Sequence, residues 1–409
     1  MRMLTQKTID IVKSTAPVLA VKGTEITTAF YKNMFDAHPE LLNIFNHANQ
    51  QKGRQQAALA NTVYAAATYI DQLHVLLPAV KQIAHKHRSL AIKPEHYPIV
   101  GEYLLKAIKE VLGDAATDEI ITAWGEAYGV IADVFISVEK EMYEKAETAE
   151  GGWADYKDFT VVKKEKESEV ITSFYLKPVD GNKLPAFQPG QYITVRLEIP
   201  NEQYLVNRQY SLSAAPGEEY FRISVKRERL EGTPEGKMSN YLHDHLEVGD
   251  QLEVTAPAGD FTFDATATKP VHFIAGGVGI TPFMSMLHTV ADIQPNRTIS
   301  LIHATKAASI QAFRDEIQSL KQEMPNLTVI SLYEQLEGNL QVDSSIGQGR
   351  ITEEMLKGYV EQGDADYYVC GPVPFMKYVI TTLYRLGVPK EQVKFEFFGP
   401  SMNLEEATA

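Results

Sequence analysis

Hydrophobic periodicity divides the chain into three stretches. Residues 1–148 carry apolar side chains at helical intervals, with few β-branched runs, and with Pro17, Pro39, Pro78, Pro94 and Pro98 at the breaks. That pattern predicts an all-α unit. Residues 153–265 change to short alternating runs, such as Gln191–Ile199 and Tyr220–Lys226, parted by Gly and Pro turns. An antiparallel β-barrel is expected there. Residues 268–409 alternate compact apolar runs with longer helical stretches. Val271–Ile274, Ile299–Ile302, Leu327–Leu332, Tyr367–Cys370 and Val393–Phe397 read as strands of a parallel α/β sheet. The join Lys145–Trp153 is charged and then glycine-rich, and reads as a hinge. The whole is a multidomain plan without internal repeats.

Composition narrows the function. The 409 residues suit about three domains at roughly 150 residues each. Apolar residues make up 44% and charged residues 22%, enough to bury several cores. A net charge of −14 argues against nucleic acid or an anionic membrane as partner. Cys370 is the one cysteine, which excludes an intramolecular disulfide and disfavours a cysteine metal site. The opening residues lack a signal-peptide core, and no run approaches the roughly 20 apolar residues of a membrane span. A cytoplasmic protein is expected, without membrane insertion or an obligatory protein partner.

The first chemical candidate is a histidine. Val80, Ile83, Ala84, His87 and Leu90 share one apolar helical face, whereas His85 falls with Lys81, Gln82, Arg88 and Ser89 on a side read as solvated. If either histidine ligates a buried metal it is His87; a lone helical histidine is more often a hydrogen-bonded core residue. Phe30–Phe35, Pro39–Phe45, Gln55 with Leu59, and Lys86–His87 together resemble the globin domain of flavohaemoglobins. The resemblance implies His87 as proximal ligand of haem b iron, with Phe45 against the porphyrin. Tyr31, Gln55 and Leu59 would line the distal side, the first two as donors to dioxygen. It also implies a proximal network of Tyr97 and a glutamate, assigned to Glu139; periodicity alone does not separate Glu139 from Glu141.

The later stretches carry matching motifs. Arg208-Gln209-Tyr210-Ser211 resembles the flavin motif of ferredoxin-reductase-like domains. Arginine forks onto phosphate, a tyrosine ring stacks on the isoalloxazine, and a serine can bond near its reactive nitrogen. Gly190-Gln-Tyr192, Val225–Glu228 and Gly236-Lys-Met-Ser239-Asn240 join it as FAD-binding candidates. The loop Arg229–Glu235 is longer than the family pattern. Gly276-Gly277-Val278-Gly279-Ile280-Thr281-Pro282 follows a strand and opens a helix, with Thr281 as N-cap and Pro282 as first helical residue. Backbone N–H groups in such a turn can meet a pyrophosphate. Cys370-Gly371 is the second NAD(P)H-side motif, although a buried structural thiol is the commoner role for a cysteine. Glu396, Phe397, Phe398, Gly399 and Pro400 resemble the segment that covers the flavin and brings a glutamate towards the haem; Phe397 stands where many relatives have cysteine.

The resemblance spans the chain and implies a nitric oxide dioxygenase that converts NO and O2 to nitrate. Its electrons would pass from NAD(P)H through FAD to haem. A haem-based oxygen carrier or sensor, and a flavin reductase acting on other acceptors, are the competing readings. The residues leave NADH against NADPH open, Lys306 alone being too little for a 2′-phosphate site.

Overall fold

The computed structural model describes residues 4–45, 53–229 and 236–398. Gly399, Pro400 and most of the Arg229–Glu235 loop lie outside them. The helical part contains α1 (Gln6–Ser14), α2 (Ala16–Ala37), α3 (Arg54–Thr68), α4 (Leu77–Ser89), α5 (His96–Leu112) and α6 (Asp118–Thr148). Pro17 and Pro78 stand in the first turns of α2 and α4, where a missing N–H costs nothing. Thr117 caps α6 by accepting from the Ile120 N–H, and Asp118 and Glu119 complement its positive end. At 31 residues α6 is the one helix among the described residues long and apolar enough to cross a membrane. Its buried Trp124, Ala127 and Phe135 instead belong to the packing against the other helices.

The middle part is a six-stranded antiparallel sheet in the order β4-β3-β6-β1-β2-β5. Its strands are β1 (Tyr156–Lys166), β2 (Ile171–Pro178), β3 (Tyr192–Leu197), β4 (Val206–Ser211), β5 (Phe221–Lys226) and β6 (Gln251–Thr255). A bridge between Leu212 and Ile223 ties the two edges and closes the barrel around Phe159, Phe174, Ile193 and Val254. Helix α7 (Lys237–Asp244) follows β5.

The last part is wholly parallel, in the order β10-β9-β8-β7-β11-β12. These strands are β7 (Val271–Gly276), β8 (Ile299–Thr305), β9 (Leu327–Tyr333), β10 (Ile346–Gln348), β11 (Asp366–Cys370) and β12 (Val393–Glu396). Helices α8 (Thr281–Ile293), α9 (Arg314–Glu323), α10 (Glu353–Val360) and α11 (Val373–Arg385) lie between them. The chain leaves β7 towards β8 on one side and returns to β11 on the other. The crevice at the carboxyl ends of β7 and β11 is therefore the topological switch point, where open α/β sheets bind ligands.

The join expected to be a hinge is closely packed in this structure. A Cβ on Gly151 would lie 2.1 Å from the Lys183 carbonyl oxygen, and one on Gly152 would lie 2.0 Å from that of Ala146. The glycines allow close packing of the junction, and Trp153 anchors it by donating to the Val254 carbonyl at 3.0 Å.

Candidate functional site

His87 sits on the last turn of α4, held by a helix end of Schellman type. The Ile92 N–H returns to the His87 carbonyl at 3.0 Å and the Ala91 N–H to that of Arg88 at 3.0 Å, with Ala91 left-handed at φ 57°. Behind the ring, His87 Nδ1 donates to Glu139 Oε1 at 2.7 Å, and the Tyr97 hydroxyl donates to the same oxygen at 2.6 Å. Tyr97 in turn is fixed by Tyr128, whose hydroxyl donates to its carbonyl at 2.6 Å. Glu139 is buried while Glu141 is exposed, which resolves the choice that periodicity left open. With Nδ1 engaged, Nε2 is the nitrogen available to a metal.

That histidine lines a cavity of about 300 Å³ with Tyr31, Phe45, Gln55 and Leu59. The Tyr31 ring packs on Phe30, Phe35 and Phe45 at 4.7, 5.7 and 6.0 Å between centroids. Burial raises its hydroxyl pKa well above the ordinary value, so it keeps its proton and can donate. A mainly apolar chamber into which His87 is set by its hydrogen-bonded carboxylate fits a haem.

The floor of the cavity belongs to the barrel: Asn207, Arg208 and Gln209 of β4 line it. This corrects the reading of the His85 side as solvated. Lys81 and Gln82 are exposed, but Arg88 and Ser89 are buried because the barrel docks on the second half of α4. Arg88 Nη2 donates to the carbonyls of Ala256 and Pro257 at 3.1 and 2.5 Å. His85 Nδ1 accepts from the Gly259 N–H at 3.3 Å. Lys86 is half-buried here, its pKa lowered by desolvation and supported by Glu396. Glu396 is pushed up to about 7, chiefly by burial, against the pull of Lys86. Lys86 and Glu396, far apart in sequence, thus come close enough to influence each other's charge.

Along β4 the side chains divide. Arg208 is a half-buried guanidinium that donates to the Asn207 carbonyl at 2.7 Å, with no carboxylate partner among the described residues. Desolvation lowers its pKa, and a cation so placed fits an anionic group such as a flavin phosphate. Tyr210, Ser211 and Tyr192 are close by in register, Tyr192 opposite Ser211 and Ile193 opposite Tyr210. Gln209 behaves differently: its amide donates to Ser89 of the helical part at 2.7 Å. Gly236 precedes α7, where a Cβ would meet Ser239 Oγ at 2.7 Å. The Ser239 hydroxyl is spent on the backbone of Gly236 and Glu228, while Asn240 Oδ1 is buried without a partner.

At the switch point, Gly277, Val278, Gly279 and Ile280 form a 3-10 turn before α8, with Gly277 at φ 55°. Thr281 is the first helical residue rather than the cap, its hydroxyl donating back to the Val278 carbonyl at 3.1 Å; Pro282 follows in the first turn. Cys370 and Gly371 face this turn. A Cβ on Gly279 would be 2.3 Å from the Cys370 carbonyl oxygen, and one on Gly371 3.0 Å from the Gly276 backbone. The Cys370 thiol is fully buried, burial raises its pKa, and it reaches the Glu396 carbonyl at 3.6 Å, so it builds the wall. Phe397 is buried in the sheet's core, whereas Phe398 is exposed.

Three family models match in series: the globin family over residues 28–135, the oxidoreductase FAD-binding domain over 158–263, and the oxidoreductase NAD-binding domain over 273–381. A flavohemoprotein of Bacillus cereus is 56% identical over 404 residues, covering 98% of this chain and 100% of the relative. One of Bacillus subtilis is 51% identical over 405 residues, 99% of this chain and 100% of the relative. The chain belongs to the flavohemoprotein family. A crystal structure of the flavohemoglobin of Malassezia yamatoensis with bound FAD and heme superposes with a TM-score of 0.81 at 27% identity, over 97% of this chain and 100% of that one. The FAD/NAD-binding domain of the nitric oxide dioxygenase of Vibrio cholerae matches 60% of this chain and 99% of its own, with a TM-score of 0.53 at 35% identity. As a flavohemoprotein this chain is an oxidoreductase whose cofactors are haem, FAD and a nicotinamide nucleotide.

Sequence reasoning missed several residues of this flavohemoprotein's site. Asn43, Arg88, Ser89 and Asn207 fasten the helical part to the barrel, and nothing in a local pattern marks a polar side chain as an interdomain contact. His303 is fully buried in β8, held neutral with a pKa of about 4 by burial, and donates through Nε2 to the Gly277 carbonyl at 2.9 Å. It supports the glycine turn from beneath.

Proposed function

We propose that the protein is a cytoplasmic nitric oxide dioxygenase that makes nitrate from NO and O2 with electrons from NAD(P)H. Residues 1–148 would hold haem b, 153–265 FAD and 268–409 the nicotinamide nucleotide. When bound, these groups together convert a hydride into single electrons delivered to dioxygen at iron. The observation that carries the reading is the carboxylate behind His87, with Glu139 at 2.7 Å from Nδ1. An imidazole so polarised donates more strongly to iron, which favours activating dioxygen over storing it. On the other side Tyr31 holds its proton and donates into an apolar chamber, with Gln55 as the second donor. Lys86 and Glu396 influence each other's charge at the junction, where burial pushes the Glu396 carboxyl up to about 7. Arg208 binds phosphate, Tyr210 and Tyr192 flank the flavin, and Ser211 bonds to it. The turn Gly277–Pro282, walled by Cys370 and Gly371, orients the nicotinamide nucleotide. The name of the Vibrio cholerae relative supports the same activity.

The test is a count of nitrate formed per NAD(P)H consumed, with and without nitric oxide, at saturating oxygen. One hydride carries two electrons, so the expected yield is two nitrates per NAD(P)H. NAD(P)H oxidation that yields no nitrate would leave a flavin reductase or an oxygen carrier in place of the dioxygenase.

A further inference from the structure

The junction between the helical part and the barrel carries a paired side-chain clasp, Asn43 with Asn207, that has so far been given no part in the reaction. Asn43 follows α2 in a short 3-10 turn, two positions before Phe45 of the cavity wall. Its Oδ1 accepts the Leu205 N–H at 2.9 Å. Asn207, buried on β4, returns the contact: its Nδ2 donates to the Asn43 carbonyl at 2.7 Å and the Ile44 carbonyl at 3.1 Å. Three hydrogen bonds thus join two backbone segments through two asparagine side chains. On the opposite rim of the same cavity, Gln209 donates to Ser89, two residues beyond His87. One strand therefore grips both walls of the chamber with Asn207 and Gln209, while the intervening Arg208 and the following Tyr210 are its flavin candidates.

We infer that Asn43 and Asn207 are positioning residues for electron transfer from flavin to haem. The clasp fixes the cavity wall at Phe45 to the strand that carries the flavin, and so holds donor and acceptor in register. Two successive one-electron transfers would return the two-electron-reduced flavin to its oxidised form, each reducing ferric iron by one electron, with no bond made or broken by the clasp. Releasing it lets the helical part sample separated arrangements, and only the docked fraction transfers electrons. The inference rests on the oxidoreductase chemistry of the family and does not require nitric oxide as substrate.

The experiment mixes NAD(P)H with the full holoprotein, without oxygen and under carbon monoxide, and follows two signals. Flavin bleaching reports hydride transfer, and the Soret change reports haem reduction. In Asn43→Ala, flavin bleaching keeps its rate while haem reduction slows about tenfold, equivalent to about 1.4 kcal/mol of lost docking. Haem and FAD contents stay at wild-type levels, and hydrogen exchange at the Leu205 amide accelerates because its acceptor is gone. Asn207→Ala also slows haem reduction, and the double variant slows it by less than the product of the two single effects, since both belong to one clasp. An unchanged haem-reduction rate in Asn43→Ala, or fully additive slowing in the double variant, overturns the inference. Asn43 is only half-buried, so its variant tests the idea even if Asn207→Ala fails to fold. Normal electron transfer in the unmutated protein with no nitrate from nitric oxide would count against the proposed reaction and leave the clasp standing.

Discussion

At the scale of single residues, the contact that most separates this site from a plain haem pocket is the oxygen shared by His87 and Tyr97. Glu139 Oε1 accepts from both, so it fixes the imidazole's tautomer and its orientation together. Glu139→Gln keeps the shape but replaces a charge-assisted acceptor by an amide. Haem content should hold near wild type, the iron–histidine stretching frequency should fall, and nitrate formation should drop by about 10- to 100-fold, the usual cost of losing such a partner. An unaltered stretching frequency and turnover would show that the carboxylate merely fills space. The sequence pointed to His87 through its apolar face, but that face describes only half of α4. Arg88 looked solvated because helical periodicity sees one chain segment, and the barrel that buries it lies about 170 residues on, as the Arg88 contact to Pro257 shows by its separation of 169.

At the scale of elements, strands and helices were legible because each apolar run in the parallel sheet is continuous and bounded by turns. Val271–Gly276 and Asp366–Cys370 differ from the expected runs only at their ends. The short edge strand Ile346–Gln348 was missed, since three half-exposed residues give no periodicity. What pattern could not supply was the meeting of Gly276–Pro282 with Cys370-Gly371, because parallel neighbours β7 and β11 are far apart in the chain. Their backbones approach so closely that Gly279 has no room for a methyl group, with the Cys370 carbonyl carbon at 2.5 Å from an ideal Cβ. Gly279→Ala must therefore push backbone from backbone, which costs about 1–3 kcal/mol for an overpacked site. The change should raise the KM for NAD(P)H and slow flavin reduction, while haem and FAD loading stay normal. Wild-type KM in a folded variant would remove this turn from the nucleotide site.

At the scale of the whole molecule, the barrel and the α/β part are joined by a largely buried ionic cluster to which both contribute. Arg222 of β5 makes a bidentate pair with Glu316 of α9, at 3.0 and 2.7 Å, and also donates to Ser213. His288 of α8 bonds to the same carboxylate. Burial by itself would raise the Glu316 pKa, but His288 and Arg222 outweigh it and hold the carboxyl at about 2, below its ordinary 4.5. A depressed carboxyl pKa means that the folded state releases a proton more readily than the unfolded one. Its contribution is therefore complete above about pH 4.5 and disappears as pH falls through the folded value near 2. Glu316→Gln should destabilise the domain junction at neutral pH by about 3 kcal/mol, the low end for breaking a buried pair, because the carboxylate retains some exposure. Heating the holoprotein and following flavin fluorescence reads this as an earlier release of FAD. The release temperatures of wild type and variant should converge as the pH is lowered from 4.5 towards 2, since protonated Glu316 and glutamine are then nearly the same group. Equal release temperatures at neutral pH, or a gap that persists undiminished in acid, would mean that the junction is held by packing and that this carboxylate's charge contributes little.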